Sequence, residues 1–148
     1  MKGIEDKKGI PEPKLEHIFI GTVKTNTVSG YHCDAKLGDE KVFAEARLYS
    51  RSKRLVTVNK HQRLFEAVVR EKENSTIKKD NCGKSTFFNA SWSRQDIVDC
   101  IDRLQTKGKI IKEFKLSKGI DPRQVCIDKK TGIIVVNNRA STYPLIKY

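Results

Sequence analysis

The chain has 148 residues with 30 Lys+Arg against 18 Asp+Glu, a formal net charge of +12. That length fits one domain of ordinary size, and 37% hydrophobic with 32% charged residues of both signs describes a modest core under a polar surface, not a disordered polyelectrolyte. The longest apolar runs, such as Ile133-Ile134-Val135-Val136, fall far short of the roughly 20 residues a membrane-spanning helix needs, residues 1–8 lack the apolar stretch of a secretory leader, and the surplus positive charge favours a polyanionic partner, nucleic acid ahead of an acidic protein or an anionic membrane surface.

Residues 1–14, with Lys7-Lys8-Gly9, Pro11 and Pro13, carry no hydrophobic period and read as a flexible linker or tail, or the cut end of a longer parent protein. The ordered domain is expected over residues 15–148. It opens with Leu15-Glu16-His17-Ile18-Phe19-Ile20, a β-prone run closed by Gly21, after which residues 22–30, rich in Thr, Asn, Ser and Gly, read as a turn into Tyr31-His32-Cys33. Residues 53–58 and 63–69 alternate as strands do, with a short helix as the alternative for the second by propensity alone, and residues 71–83 read as an exposed polar loop. A helix follows, capped by Ser93 with Asp96 three residues on, its face built from Ile97, Val98, Cys100, Ile101 and Leu104, and ended by Gly108. Residues 110–116, 125–128 and 133–137 are strand-like, with Lys129-Lys130-Thr131-Gly132 as a hairpin turn between the last two, and Ser141-Thr142-Tyr143-Pro144 closes the chain. The pattern is α+β with mostly antiparallel pairing and no internal repeat.

The four cysteines, at 33, 82, 100 and 126, form no C-x-x-C pair, so structural zinc is not expected. A domain of this length needs no disulfide staple, and Cys100, on the apolar helix face, reads as a free buried thiol. His17 and His32 each stand beside β-prone or aromatic residues across a Gly- and Thr-containing turn that can bring the imidazoles together. Two imidazoles with ordinary pKa values near 6.5 can hold one neutral and one charged form, as paired general base and acid require; structural or surface histidines are the competing reading. His61, amid Asn59-Lys60 and Gln62-Arg63, reads as a turn or surface residue. A thiolate role for Cys33 beside His32 is disfavoured, because adjacent strand residues face opposite ways. In Gly83-Lys84-Ser85-Thr86-Phe87-Phe88 the glycine lets backbone approach a ligand and the Lys84 ammonium can neutralise a phosphate. Tyr143 offers a ring for base stacking.

The ordered blocks His17-Ile18-Phe19-Ile20-Gly21, Gly30-Tyr31-His32, Lys84-Ser85-Thr86-Phe87-Phe88 with Ser91-Trp92-Ser93, the Ile97-Val98-Asp99 helix and Ser141-Thr142-Tyr143-Pro144 resemble the bacterial EndoU nuclease family from about residue 15 to 146. The resemblance implies an EndoU-like or RNase A-like fold of mostly antiparallel sheets packed with a few helices. It implies an endoribonuclease toxin domain that cleaves RNA, often after uridine, with tRNA or RNA in general as its target, and leaves a 2′,3′-cyclic phosphate. His17, His32 and Lys84 take the positions of the family's catalytic residues, with Ser141 and Tyr143 at the Thr and Tyr of its closing motif; Ser85 and Thr142 are expected to bind substrate beside them. Two departures stand out: Asn89 follows Phe87-Phe88 where the family commonly has Pro, and Ser141 replaces Thr, keeping the hydroxyl but losing a methyl.

No cofactor is implied, since two imidazoles and an ammonium supply the proton transfers and charge stabilisation, although manganese dependence is left open by relatives that respond to it. The expected partners are RNA and a cognate acidic immunity protein, the domain itself being a monomer. The expected setting is a larger secreted or contact-delivered protein whose nuclease domain acts in the target-cell cytoplasm. The rival reading is a non-catalytic basic module that binds RNA or an acidic protein.

Overall fold

The structure is a computed structural model that describes residues 1–45, 63–78, 83–107, 109–114 and 123–145. Its elements run α1 (Glu12–Phe19), β1 (Thr22–Lys24), β2 (Thr27–Ser29), β3 (Val42–Ala44), β4 (Phe65–Glu71), β5 (Lys84–Phe87), α2 (Arg94–Lys107), β6 (Lys109–Phe114), β7 (Arg123–Ile127), β8 (Ile134–Asn137) and β9 (Thr142–Pro144). Among the described residues the strands form three antiparallel sheets, ordered β1-β2, β3-β4-β5 and β6-β7-β8-β9. The expected α+β, mostly antiparallel class is the class found.

The expected β-run at residues 15–20 is corrected to helix: α1 buries Lys14, Leu15, Ile18 and Phe19, a three- and four-residue spacing that a strand cannot place on one side. Pro11 and Pro13, read from sequence as chain breakers, flank its first residue. In the first helical turn proline's missing N–H leaves no bond unmade. Gly21, with φ +89°, ends the helix, its N–H donating to the Glu16 carbonyl at 3.0 Å. The segment ahead of α1 lies against the body of the protein. Ile10 is a core residue, Met1 and Ile4 pack on the core, and Gln95 of α2 exchanges hydrogen bonds with the backbone of Glu5 and Asp6.

Residues 22–30 form a hairpin as well as a turn, with Val23 opposite Val28 and Asn26 at φ 62°. The expected strand at 63–69 is β4, whose alternate residues Phe65, Ala67 and Val69 are buried; the expected strand at 53–58 and His61 lie outside the described residues. The helix α2 carries the expected capping pair. Ser93 Oγ accepts the Asp96 N–H at 3.1 Å while Asp96 Oδ2 accepts the Ser93 N–H at 2.8 Å. Gly108 lies outside the described residues. The β7–β8 hairpin turns where expected, pinned by Thr131 Oγ1 donating to Asp128 Oδ2 at 2.6 Å and by Gly132 at φ +75°.

Two apolar clusters result. One joins α1 and α2 to the face of the four-stranded sheet through Leu15, Ile18, Phe19, Ile97, Ile101, Cys126, Ile133 and Val135. The other joins the hairpin to the β3-β4-β5 sheet through Val28, Tyr31, Val42, Phe65, Ala67, Val69 and Phe87. Cys33, Cys100 and Cys126 are buried free thiols, and Cys82 lies outside the described residues. No helix among the described residues is long and apolar enough to cross a membrane.

Candidate active site

His17 sits in the last turn of α1, and His32 reaches it because the returning chain hydrogen-bonds along that helix end. The Tyr31 N–H donates to the His17 carbonyl and the His32 N–H to the Ile18 carbonyl, each at 2.8 Å. This crossing needs a glycine. Gly30 has φ +79°, and a Cβ there would collide with the His17 carbonyl oxygen and press on its ring. Tyr31 is also left-handed, at φ +70°, and is held there by burial, by an edge-on ring contact with Phe87 and by its hydroxyl donating to Asp34 at 2.8 Å. Two successive left-handed residues store strain of order 1–3 kcal/mol for the non-glycine one, immediately before His32.

The two imidazole centroids lie 6.4 Å apart at 47°. His32 Nδ1 is 2.8 Å from the Thr86 carbonyl oxygen. A carbonyl only accepts, so Nδ1 carries the hydrogen, and in the neutral ring Nε2 is the lone-pair nitrogen. His17 Nδ1 is 3.0 Å from Thr22 Oγ1. Burial, followed by the Lys78 ammonium, lowers the pKa of His17. His32 is pushed down to about 3 by burial and the charge of Lys78, against the opposing pull of the Thr86 carbonyl.

Both rings line a cavity of ≈ 630 Å³ with Ser29, Gly30, Lys78, Lys84, Ser85, Thr86, Asn138, Ala140, Ser141, Tyr143 and Leu145. Its formal charges are two lysines, with no carboxylate among the described residues, so it suits an anion. The Tyr143 ring stacks on His32 at 5.1 Å and 23°. Ser85 Oγ donates to the Gly30 carbonyl at 2.9 Å and accepts from Lys78 Nζ at 2.8 Å, tying β5, the glycine crossing and Lys78 together. The hydroxyls of Ser141 and Thr86 are buried without a hydrogen-bond partner among the described residues, although both residues line the cavity.

The structure thus gathers His17, His32, Lys84, Ser85, Ser141 and Tyr143 around one cavity. Thr142 stands apart: it is fully buried and its Oγ1 donates to Asn137 Oδ1 at 2.6 Å. Cys33 faces away into the α1–α2 core, and burial pushes its thiol up to about 12, which removes the thiolate reading. Sequence reasoning missed Lys78 and Thr86. Lys78 lay in a stretch read as exposed loop, one lysine among many, and only the β4–β5 pairing brings that loop back over Ser85.

Two imidazoles and two lysines thus line one cavity that has no carboxylate among the described residues, an arrangement able to move protons and to take an anion. The bacterial EndoU nuclease family model matches residues 11–145, nearly the whole chain, and the chain belongs to that nuclease family. No curated protein and no solved structure matches it.

Proposed function

We propose that the chain is an endoribonuclease toxin domain that cuts uridine-containing RNA through the ribose 2′-oxygen. A new bond forms between O2′ and phosphorus while the bond from phosphorus to O5′ breaks, leaving a 2′,3′-cyclic phosphate and a 5′-hydroxyl. His32 takes the 2′-OH proton and His17 gives a proton to the departing O5′. Lys84 and Lys78 meet the charge that builds on the phosphorane oxygens. Ser141 and Tyr143 hold base and ribose on the 3′-side of the cut.

The observation that carries this reading is the pair of imidazoles 6.4 Å apart over a cavity whose formal charges are lysines. The order of roles is supported by the environments. Burial and the Lys78 charge favour a neutral His32, and the Thr86 carbonyl fixes the tautomer that leaves Nε2 free to accept a proton, whereas His17, part-exposed at the cavity wall, is the easier of the two to protonate. A phosphodiester entering the cleft raises both pKa values, bringing the base nearer the range in which it is effective. The chemistry needs no metal in principle, and cleavage with and without EDTA or manganese measures any dependence.

The deciding experiment incubates the protein with total RNA and EDTA, then maps cut sites and end chemistry. The expected products are cyclic-phosphate ends after uridine, and a single 2′-deoxy sugar at the cut site abolishes them. Salt-sensitive RNA binding without any cyclic-phosphate product overturns the reading in favour of a plain binding module. On the same reading the domain works as a monomer, is carried by a larger secreted or contact-delivered protein, acts in the target-cell cytoplasm, and is held in check by an acidic immunity protein that competes for the lysine-lined cleft. Undiminished cleavage in the presence of the neighbouring open reading frame's product overturns that last pairing.

A further inference from the structure

Beside the imidazole cavity lies a second one of ≈ 390 Å³, and Asn138 lines both. Its charged lining is Lys14 and Arg139, joined by Gln105, Gln124 and Asn137, and no carboxylate lines it among the described residues. Lys14 is the unusual member. It belongs to α1 yet is only 5% exposed. Its Nζ donates to Asn137 Oδ1 at 2.8 Å and to the Asn138 carbonyl at 2.9 Å, both uncharged. A buried ammonium is costly without an opposing charge, and here burial alone drags its pKa down to about 8. An ammonium has three donors, so two neutral acceptors leave one N–H for a further acceptor. An anion in this cavity supplies both the missing charge and the missing acceptor.

We propose that the second cavity is a subsite for a backbone phosphate of the RNA flanking the cut, held by the Lys14 ammonium and the Arg139 guanidinium. The shared Asn138, with Arg139 and cavity-lining Ala140 following it, makes one polar wall along which a single strand passes from the imidazole cavity to the Lys14 cavity. The two glutamine amides add donors for phosphate oxygens. This subsite deepens the ribonuclease reading and rests on it, since the ligand is the same RNA strand.

The test uses the full chain as wild type, Lys14→Gln and Arg139→Ala, with Arg139→Ala included because that side chain is exposed and its removal leaves the fold intact. Binding is measured against a 2′-deoxy oligonucleotide that cannot be cut. Each variant is expected to bind about tenfold more weakly, with the salt slope of log K shallower by about one charge. Replacing one flanking phosphate of that oligonucleotide by an uncharged methylphosphonate weakens wild-type binding by more than either substitution does and weakens Arg139→Ala by only the roughly tenfold that Lys14 still contributes, which identifies the ligand as a chain phosphate and not a free ion. On cleavable RNA, a dinucleotide with only the scissile phosphate is cut equally by all three proteins, while the advantage of longer strands is lost in the variants. Unchanged slopes, or an equal loss on the dinucleotide, overturn the subsite. Failure of the wild type to cut any RNA overturns the ribonuclease reading instead, and the uncleavable-strand binding then decides the subsite by itself.

Discussion

At the scale of single residues, the two histidines are distinguished by what surrounds them. If His32 is the base and His17 the acid, His17→Ala and His32→Ala each lose about 10²- to 10⁴-fold in cleavage rate while RNA binding persists. Rates from a fluorogenic uridine-containing oligonucleotide check this, and wild-type rates in both variants contradict it. The Lys78 ammonium lowers both imidazole pKa values, so Lys78→Met moves the acid limb of the kcat/KM profile to higher pH while lowering the maximum rate. The wild-type limb lies below pH 6.5, because both folded pKa values are lowered. The same shift has a stability sign. The unfolded chain binds a proton near 6.5 that folded His32 refuses down to about 3, so stability is full above 6.5 and declines between those values. The slope is roughly 1 kcal/mol per pH unit, and urea midpoints at pH 7 and pH 5 measure it. The depressed carboxyls Asp39, Glu40 and Asp128 lose their contribution only at lower pH, below about 4.

At the scale of elements, the geometry of the imidazole pair depends on how one helix end meets one returning strand of chain. Gly30→Ala places a Cβ against the His17 carbonyl at a left-handed φ. It should destabilise by about 1–3 kcal/mol and cut activity by more than its stability loss explains, because the same collision displaces the imidazole pair. Chemical denaturation and single-turnover cleavage below the melting temperature separate the two effects. Legibility from sequence also divides by element. The helix α2 was readable because four turns of apolar spacing, a capping pair and a polar opposite face all agree. The β7–β8 hairpin was readable from Lys129-Lys130-Thr131-Gly132, whose glycine meets the left-handed turn position. The eight residues of α1 were not, since Leu15, Ile18, Phe19 and Ile20 suit a strand equally and two turns give too few repeats of the period; packing against α2 and the four-stranded sheet decides it.

At the scale of the whole molecule, Arg94 ties distant parts of the chain. Its buried guanidinium donates to Asp39 at 2.6 and 2.8 Å, to Glu40 at 2.9 Å and to the Lys2 carbonyl at 3.0 Å, and lies over the Phe19 ring. This single side chain joins the start of α2 to the N-terminal segment, to the end of α1 and to the loop before β3. Arg94→Leu leaves two carboxylates, one of them buried, without their cation and should destabilise by about 3–5 kcal/mol. Thermal unfolding checks this, with a midpoint unchanged within error as the contrary result. The N-terminal residues read from composition as a linker are held in part by this hub and by Gln95. Backbone hydrogen bonds and three scattered apolar residues, Met1, Ile4 and Ile10, make the attachment, and apolar residues so spaced give hydrophobic patterning no sustained period to detect.

By itself the sequence determined the α+β class, the positive charge, the helix α2, the C-terminal hairpin and the identities of His17, His32, Lys84, Ser141 and Tyr143 as residues worth watching. Composition and short-range periodicity carry that information because each signal resides within a few neighbouring residues. Only the tertiary structure decided that these residues share a cavity, that Lys78 and Thr86 join them, that Thr142 turns to Asn137, and that Lys14 is buried without a counter-charge. Those facts depend on contacts between segments as far as 124 residues apart, and on burial, which sets pKa values and hydroxyl partners and has no local signature in the chain.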